Sequence, residues 1–456
     1  MNRKLAIFAT IIVFAGALLL WQSPAILRAL PSRYVAAMPE PIQALGVREH
    51  VGMLPTAAPQ VDTSQLLRTA APTATDEPLP PPAVTVPPTF TPEIQAEDTP
   101  TLVPSATPTA TSPPSPTPTV IAAPPQARLQ NVVHHFQDWN NCGPATLAMA
   151  LSYFGRFDTQ YDIAQATKPD PEDRNVSPYE IAGYVNNQTP YRAINRINGN
   201  LDMLRSLISL GAPVMVEIGL YPPGEYAWMD WFGHYLLVVA YDDASQNFWV
   251  YDSWLGTGEA PGENNSAQGR RVAYAEMDEI WQEFNRSYVT LFSPEDEGAV
   301  HDIIGPAMDD SVMWQGAFEH VQDELSNDQE NAFLWFNLGS VYNALGEYEN
   351  AASAFDRARQ IGLPWRMLWY QFGPYEAYLQ TERYEDILAL ADATLLNRPY
   401  FEESFYYKGQ ALAAMGSTEE ARVFLERAVR FNPNYQPAVD ALAQIEQAST
   451  DTCTSC

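Results

Sequence analysis

Hydrophobic and polar positions along this chain change rhythm several times, and each change marks a boundary. An uncharged apolar run, Leu5 to Trp21, follows Arg3 and Lys4. From Pro55 to Pro125 large apolar residues nearly vanish, in segments such as PPPAVTVPPTFTPEI and TPTATSPPSPTPTV. Between residues 129 and 293 helix-period and strand-type runs alternate. The apolar helix Cys142–Phe154 comes first, then a capping box Ser177-Pro178-Tyr179-Glu180 opening a second helix. Asn200 caps a third helix, LDMLRSLISL, which Gly211 stops. The strand-type runs PVMVEIGL, HYLLVVAYD and FWVYDSW follow, then a last helix, AYAEMDEIWQEF, and a strand, SYVTLFS. Helices followed by neighbouring strands predict an α+β domain with an antiparallel sheet. Residues 309–448 are helical throughout.

The N-terminal run has about the minimum length for a bilayer-spanning helix. A cleaved signal peptide needs a small-x-small site soon after the apolar core, and Val35-Ala36-Ala37 lies too far on. Residues 1–22 are therefore expected to be an uncleaved signal anchor, followed by a juxtamembrane segment over 23–54. Arg3 and Lys4 place the N-terminus in the cytoplasm and the later domains outside, at a cell membrane crossed once. Arg28 and Arg33, on the other flank, weigh against this orientation. The stretch 55–125 cannot build a core and is expected to be a disordered spacer, extended by proline at roughly 3.1 Å per residue.

Composition narrows the classes. Net charge is −30 over 456 residues, which excludes nucleic acid as an expected partner. There are three cysteines, Cys142, Cys453 and Cys456, so no disulfide framework is available to the globular part. Cys453-x-x-Cys456 lies in a tail, 449–456, without a second ligand pair for zinc. His134 and His135 with Cys142 also lack a complete metal set. No cofactor is expected.

Cys142 opens its helix, where unpaired N–H groups and the helix dipole favour a thiolate. Gly143 loosens the turn and Pro144 suits the first helical positions. Of six histidines, His234 opens an apolar strand inside the α+β region. Asp242 and Asp243 lie at that strand's other end, about 26 Å away at ~3.3 Å per residue, too far to orient the ring. A hairpin turning at Asp242-Asp243-Ala244 instead pairs His234 with Asp252, or makes them diagonal neighbours if the loop is two residues longer. Trp254 is expected to shield their bond. The Cys142 N–H and the Gln137 side-chain amide are the candidate oxyanion donors. Cys142, His234, Asp252 and Gln137 together form a candidate nucleophile, base, orienter and oxyanion donor.

The residues Gln137-x4-Cys142-Gly143-Pro144-Ala145-Thr146, with GHYLLVVAYDD and VYDSWLG, resemble the bacteriocin-processing (double-glycine) branch of the papain-like cysteine peptidases. The resemblance covers residues 129–293. It implies a papain-like fold and peptide-bond hydrolysis, and it carries the same four roles to Cys142, His234, Asp252 and Gln137. Members fused to an export transporter cut after Gly-Gly; no transporter segment or Walker motif is present here. Further on, Trp335, Leu338, Gly339 and Tyr342, then Ala351, Phe355 and Pro364, resemble a tetratricopeptide repeat. A weaker copy is expected from Trp369, with Phe372, Gly373 and Tyr384, and a third through Gly409, Ala421, Leu425 and Pro433. Such repeats imply docking of a partner or substrate protein. Two alternatives stay open on sequence alone: an inactive peptidase-like scaffold, and an amidase or acyl transferase using the same triad.

Overall fold

The computed structural model describes residues 53–57, 63, 66–67, 123–222, 230–258 and 262–454. The expected signal anchor, nearly all of the juxtamembrane segment and most of the Pro/Thr-rich stretch lie outside the described residues. No described helix is long and apolar enough to cross a membrane.

The first domain is α+β. A short strand β1 (Gln126–Arg128) leads through an extended segment to helix α1 (Cys142–Ser152). Helices α2 (Gln160–Thr167) and α3 (Pro178–Gln188) follow, then strand β2 (Arg192–Arg196) and helix α4 (Leu201–Leu210). The capping box forms as its residues predict, with the Ser177 N–H donating to Glu180 Oε2 at 2.8 Å. Asn200 accepts from the Met203 N–H at 2.9 Å, and α4 ends at Gly211. Strands β3 (Val214–Leu220), β4 (Phe232–Asp242), β5 (Asn247–Asp252), β6 (Arg270–Ala273) and β7 (Tyr288–Phe292) complete the sheet, with helix α5 (Tyr274–Gln282) before β7. The strand order is β2-β7-β3-β4-β5-β6, β1 pairs beside β4, and every pairing is antiparallel. Helix α1 is two residues shorter than expected, and β1, α2, β2 and β6 have no counterpart in the sequence reading.

The strand period of two divides the core. Leu236, Val238 and Val250 pack with Leu204, Leu207 and Ile208 of α4 and Met277 and Trp281 of α5. Tyr235, Leu237 and Val239 face the other way, onto Leu147 and Leu151 of α1, Ile163 of α2 and Ile181 and Val185 of α3. Because α1 is buried along its whole length past Cys142, only its first residue can face a cleft.

Helix α6 (Glu297–Ile304) joins the second domain, which is wholly helical: α7 (Asp310–Asn327), α8 (Ala332–Ala344), α9 (Tyr348–Ile361), α10 (Gly373–Gln380), α11 (Tyr384–Asn397), α12 (Glu402–Ala414), α13 (Thr418–Phe431) and α14 (Gln436–Thr454). The repeat glycine has a steric reason. A Cβ at Gly339 would come within 2.6 Å of the Phe355 ring, so α8 and α9 approach this closely only over glycine. The middle copy departs from the expected pattern. Trp369 lies in a 3₁₀ turn, Met367–Trp369, and α10 begins only at Gly373, with Pro374 in its first turn. The freed turn packs on the first domain. The closing helix runs to Thr454, so the expected tail is helical over most of its length, and Cys456 lies outside the described residues.

The two domains share a core. Trp231 and Phe284 of the first domain pack in the apolar cluster of the second. Asn337 Nδ2 donates to Gln282 O at 2.7 Å, and Arg286 reaches Asp278 at 2.8 Å and Glu324 at 2.7 Å. The end of the expected juxtamembrane segment and part of the expected spacer are also seated. Leu54 and Leu66 are buried on the helical domain, the Leu54 N–H donates to Leu363 O at 3.0 Å, and Tyr342 Oη and Gln322 Nε2 both donate to Leu66 O.

Candidate active site

Cys142 begins α1 behind Asn141, which makes no side-chain cap. Asparagine normally satisfies a first-turn N–H at this position. Here that turn carries neither a cap nor an acidic residue, so its donors remain for a ligand beside the sulfur. Among the described residues Cys142 is a free, half-buried thiol.

His234 lies near the start of β4 and is buried. Its Nε2 is 2.8 Å from Asp252 Oδ1, and the Cys142 thiol is within hydrogen-bonding reach of the same ring. Burial alone would lower the imidazole pKa; the Asp252 carboxylate and the Cys142 sulfur outweigh it and push the ring up to about 9. Asp252 closes β5 and is fully buried. Burial favours its neutral form, but His234 and Arg270 hold it well below the usual carboxylate range. Its Oδ1 also accepts from the N–H groups of Trp254 and Leu255, each at 2.9 Å, and its Oδ2 accepts from Arg270 Nη2 at 2.9 Å. This carboxylate is therefore fixed on four sides. Phe232 stands edge-on between Trp254, 5.2 Å away, and His234, 6.3 Å away, so an aromatic pair covers the His–Asp bond rather than Trp254 alone.

Gln137 sits on the extended segment ahead of α1. Its N–H donates to Ser253 O at 2.7 Å and its Oε1 accepts from Ser253 Oγ at 2.9 Å, which leaves the amide nitrogen as the end available for other contacts. The same segment is tied to the orienting acid by His134, whose Nε2 donates to Asp252 O at 2.8 Å. All four predicted residues thus meet around the end of β5 and the mouth of α1.

Four further groups border the site and were not singled out in the sequence. Arg270 becomes visible only through the β5–β6 register, where it opposes Val250. Glu217 is buried on β3, and burial with the nearby Cys142 sulfur raises its carboxyl well above the usual range. Lys168 is buried, its Nζ donating to Asp173 O at 2.5 Å. Tyr370 comes from the helical domain and makes a hydrogen bond with the Gly233 backbone, one residue before His234. A Cβ on Gly233 would lie 2.7 Å from Phe284 and 3.0 Å from Tyr370. Among the described residues no His, Cys, Asp and Glu cluster could hold a metal ion.

Two family models match parts of this chain. Residues 121–289 match the model of the peptidase C39-like family, and residues 334–360 and 402–435 match the tetratricopeptide repeat. A C39-like peptidase from Bacillus anthracis aligns over 37% of this chain and 98% of its own, at 14% identity and TM-score 0.27. A MamA double mutant aligns over 32% of this chain and 80% of its own, at 16% identity and TM-score 0.28. No curated protein matches. The chain therefore carries a region that matches the peptidase C39-like family, followed by tetratricopeptide repeats.

Proposed function

We propose that this protein is a cysteine peptidase, with Cys142 as nucleophile, His234 as acid and base, Asp252 as orienter and Gln137 as oxyanion donor. The observation that carries the reading is the buried 2.8 Å His234–Asp252 pair with the Cys142 thiol within hydrogen-bonding reach of the same imidazole. With Nε2 given to Asp252, Nδ1 is left to exchange a proton with sulfur. With the Cys142 proton held on His234, the sulfur attacks the peptide carbonyl. The oxyanion forms against the Cys142 N–H and the Gln137 amide. His234 protonates the departing amine, leaving a thioester on Cys142. Water, deprotonated by His234, then releases the acid. The repeats would hold a partner or protein substrate beside this site, and the N-terminal segment would hold both domains at the outer face of a membrane.

The test is labelling of the whole protein with a cysteine-directed activity probe, together with cleavage of a peptide library. Cys142→Ala should abolish both. His234→Ala should reduce cleavage by about 10²–10⁴-fold, as loss of a general acid–base does. Asp252→Ala should weaken it less. Equal labelling of wild type and Cys142→Ala sinks the assignment. Products carrying an acceptor amine in place of water would point to the acyl-transfer variant.

A further inference from the structure

The extended segment ahead of α1 carries Gln137 but runs outside the strands of the sheet, so its backbone groups need partners from elsewhere. In an extended chain a residue's own N–H points to one edge, while the C=O before it and the N–H after it point to the other. At Gln137 both edges are answered. On one, its N–H donates to Ser253 O at 2.7 Å. On the other, a single side chain bridges its two neighbours. Gln160 Oε1 accepts from the Asp138 N–H at 2.7 Å, and Gln160 Nε2 donates to Phe136 O at 3.0 Å. The Gln160 amide thus serves this segment as the peptide groups of an adjacent strand serve a strand in a sheet.

Both holds are themselves fixed. Gln160 is the first residue of α2, directly after the Thr159 cap. There Thr159 Oγ1 accepts from the Asp162 N–H, and Asp162 Oδ2 accepts from the Thr159 N–H, each at 3.2 Å. Tyr161, next in the helix, donates its hydroxyl to Asp138 Oδ2, so α2 grips the segment a second time. Across the segment, Ser253 is fully buried directly after Asp252, and its Oγ donates to Gln137 Oε1 at 2.9 Å. Phe136 is 42% exposed, so water reaches the Gln160 edge and can satisfy the same backbone groups. A bond to water fixes no position, whereas a two-point bridge from a capped helix does. Position is what an oxyanion donor requires: losing one costs about 10²–10³ in kcat, and a misplacement of about 1 Å costs about 10².

We propose that Gln160 is a positioning residue that acts through Gln137: its amide, with Ser253 on the opposite edge, holds the Gln137 side-chain nitrogen where the oxyanion forms. The inference rests on the peptidase reading. The bonds of Gln160 run to the backbone on either side of Gln137, not to Cys142, His234 or Asp252.

The test substitutes Gln160→Met, which keeps the length and removes both bonds, and Gln160→Glu, which keeps the acceptor for Asp138 and loses the donor to Phe136. Each is made in the full-length protein, with and without Gln137→Ala. Gln160→Met should lower kcat for a cleaved peptide by about 10–100-fold with KM within about 2-fold, because the oxyanion exists only in the transition state. Gln160→Glu should fall between Gln160→Met and the wild type. Alkylation of Cys142 by iodoacetamide forms no oxyanion and should stay within about 2-fold, whereas a general loosening of the site would slow it. In the Gln137→Ala background Gln160→Met should add less than about 2-fold, since the group it acts through is gone. Unchanged kcat in Gln160→Met overturns the proposal. So does equal slowing of alkylation and cleavage, or a further loss of about 10-fold in the Gln137→Ala background. Hydrogen exchange read by mass spectrometry follows the same bonds without chemistry. The backbone over residues 136–138 should exchange about 10-fold faster in Gln160→Met, and unchanged exchange there overturns the bridge. Faster exchange in a protein whose wild type cleaves nothing refutes the peptidase reading and leaves the bridge standing; cleavage lost equally with and without Gln137 does the reverse.

Discussion

Leu236, not His234, stands directly across the ladder from Asp252. His234 is the diagonal neighbour, two residues toward the start of β4, and its ring crosses that offset to reach the acid at 2.8 Å. The arrangement depends on one irregularity. From Asp242↔Asn247 to Ala240↔Trp249 the register is constant, and then it slips between Val238 and Ala240, leaving Val239 as an extra residue in β4. Without the slip, Leu237 would face Asp252, and Asp252 would project from the opposite side of the sheet to His234. Deletion of Val239 removes the extra residue itself: Val238 then adjoins Ala240, and Leu236 still faces Asp252 without a bulge. Acid and imidazole should stay paired, and kcat/KM should stay well above that of Asp252→Ala, with circular dichroism still reporting helix and sheet. Cleavage as low as in Asp252→Ala in a folded deletion variant would refute this reading of the register.

The pH profile follows from the His234 shift. The ring is raised from an ordinary 6.5 to about 9, so its positive charge persists below that value and is lost above it. Stability from the charged pair is fully present below about 6.5 and disappears as pH rises through about 9. Amide hydrolysis needs the ring's proton for the leaving amine, so kcat/KM should decline on the alkaline side near 9. Alkylation of the sulfur, which has no amine to protonate, should show no such decline. In Asp252→Asn the alkaline limb should move to lower pH, because a raising charge is gone.

Arg270→Met tests the fixing of the acid. The side chain is 16% exposed, whereas Asp252 is fully buried, so the substitution leaves Oδ2 without its donor. A buried acceptor stripped of one partner costs about 1–3 kcal/mol, and more when it is charged. Thermal melting should show that loss, with the cleavage rate lowered less than by His234→Ala. An unchanged melting temperature would mean another group replaces the arginine.

Gly233→Ala probes the contact between domains. The new methyl meets Phe284 and Tyr370, both held in aromatic packing with Trp231, so neither ring can move aside cheaply. Overpacking of this kind costs about 1–3 kcal/mol. We expect a lower melting temperature and reduced cleavage together, since the same backbone positions His234. Tyr370→Ala in the Gly233→Ala background should recover part of the stability.

Local signals in the sequence were readable because local physics produced them. The apolar helix behind Cys142, the Ser177 box and the Asn200 cap each depend on residues a few positions apart. The diagonal His234–Asp252 pair was within reach because hairpin counting constrains face and offset, although the four-residue turn and the Val239 bulge that set it were hidden. Arg270 required the position of a strand too short and polar to announce itself. Tyr370 carries no periodic signature, since it meets Gly233 only after two domains fold together. Trp369 misled for a related reason. Its spacing fits a repeat, but Pro374 delays the helix and packing against the first domain claims the turn.

The seating of Leu54 and Leu66 fixes where a load enters the molecule. The Met53–Pro364 bridge and the Arg359 Nε bond to Pro55 O, at 2.9 Å, join the chain's early residues to α9 and the turn after it. Tension drawn on the polypeptide before residue 53 is borne by the helical stack, not by strand β1, so the helical domain takes the pull and the α+β domain is spared it.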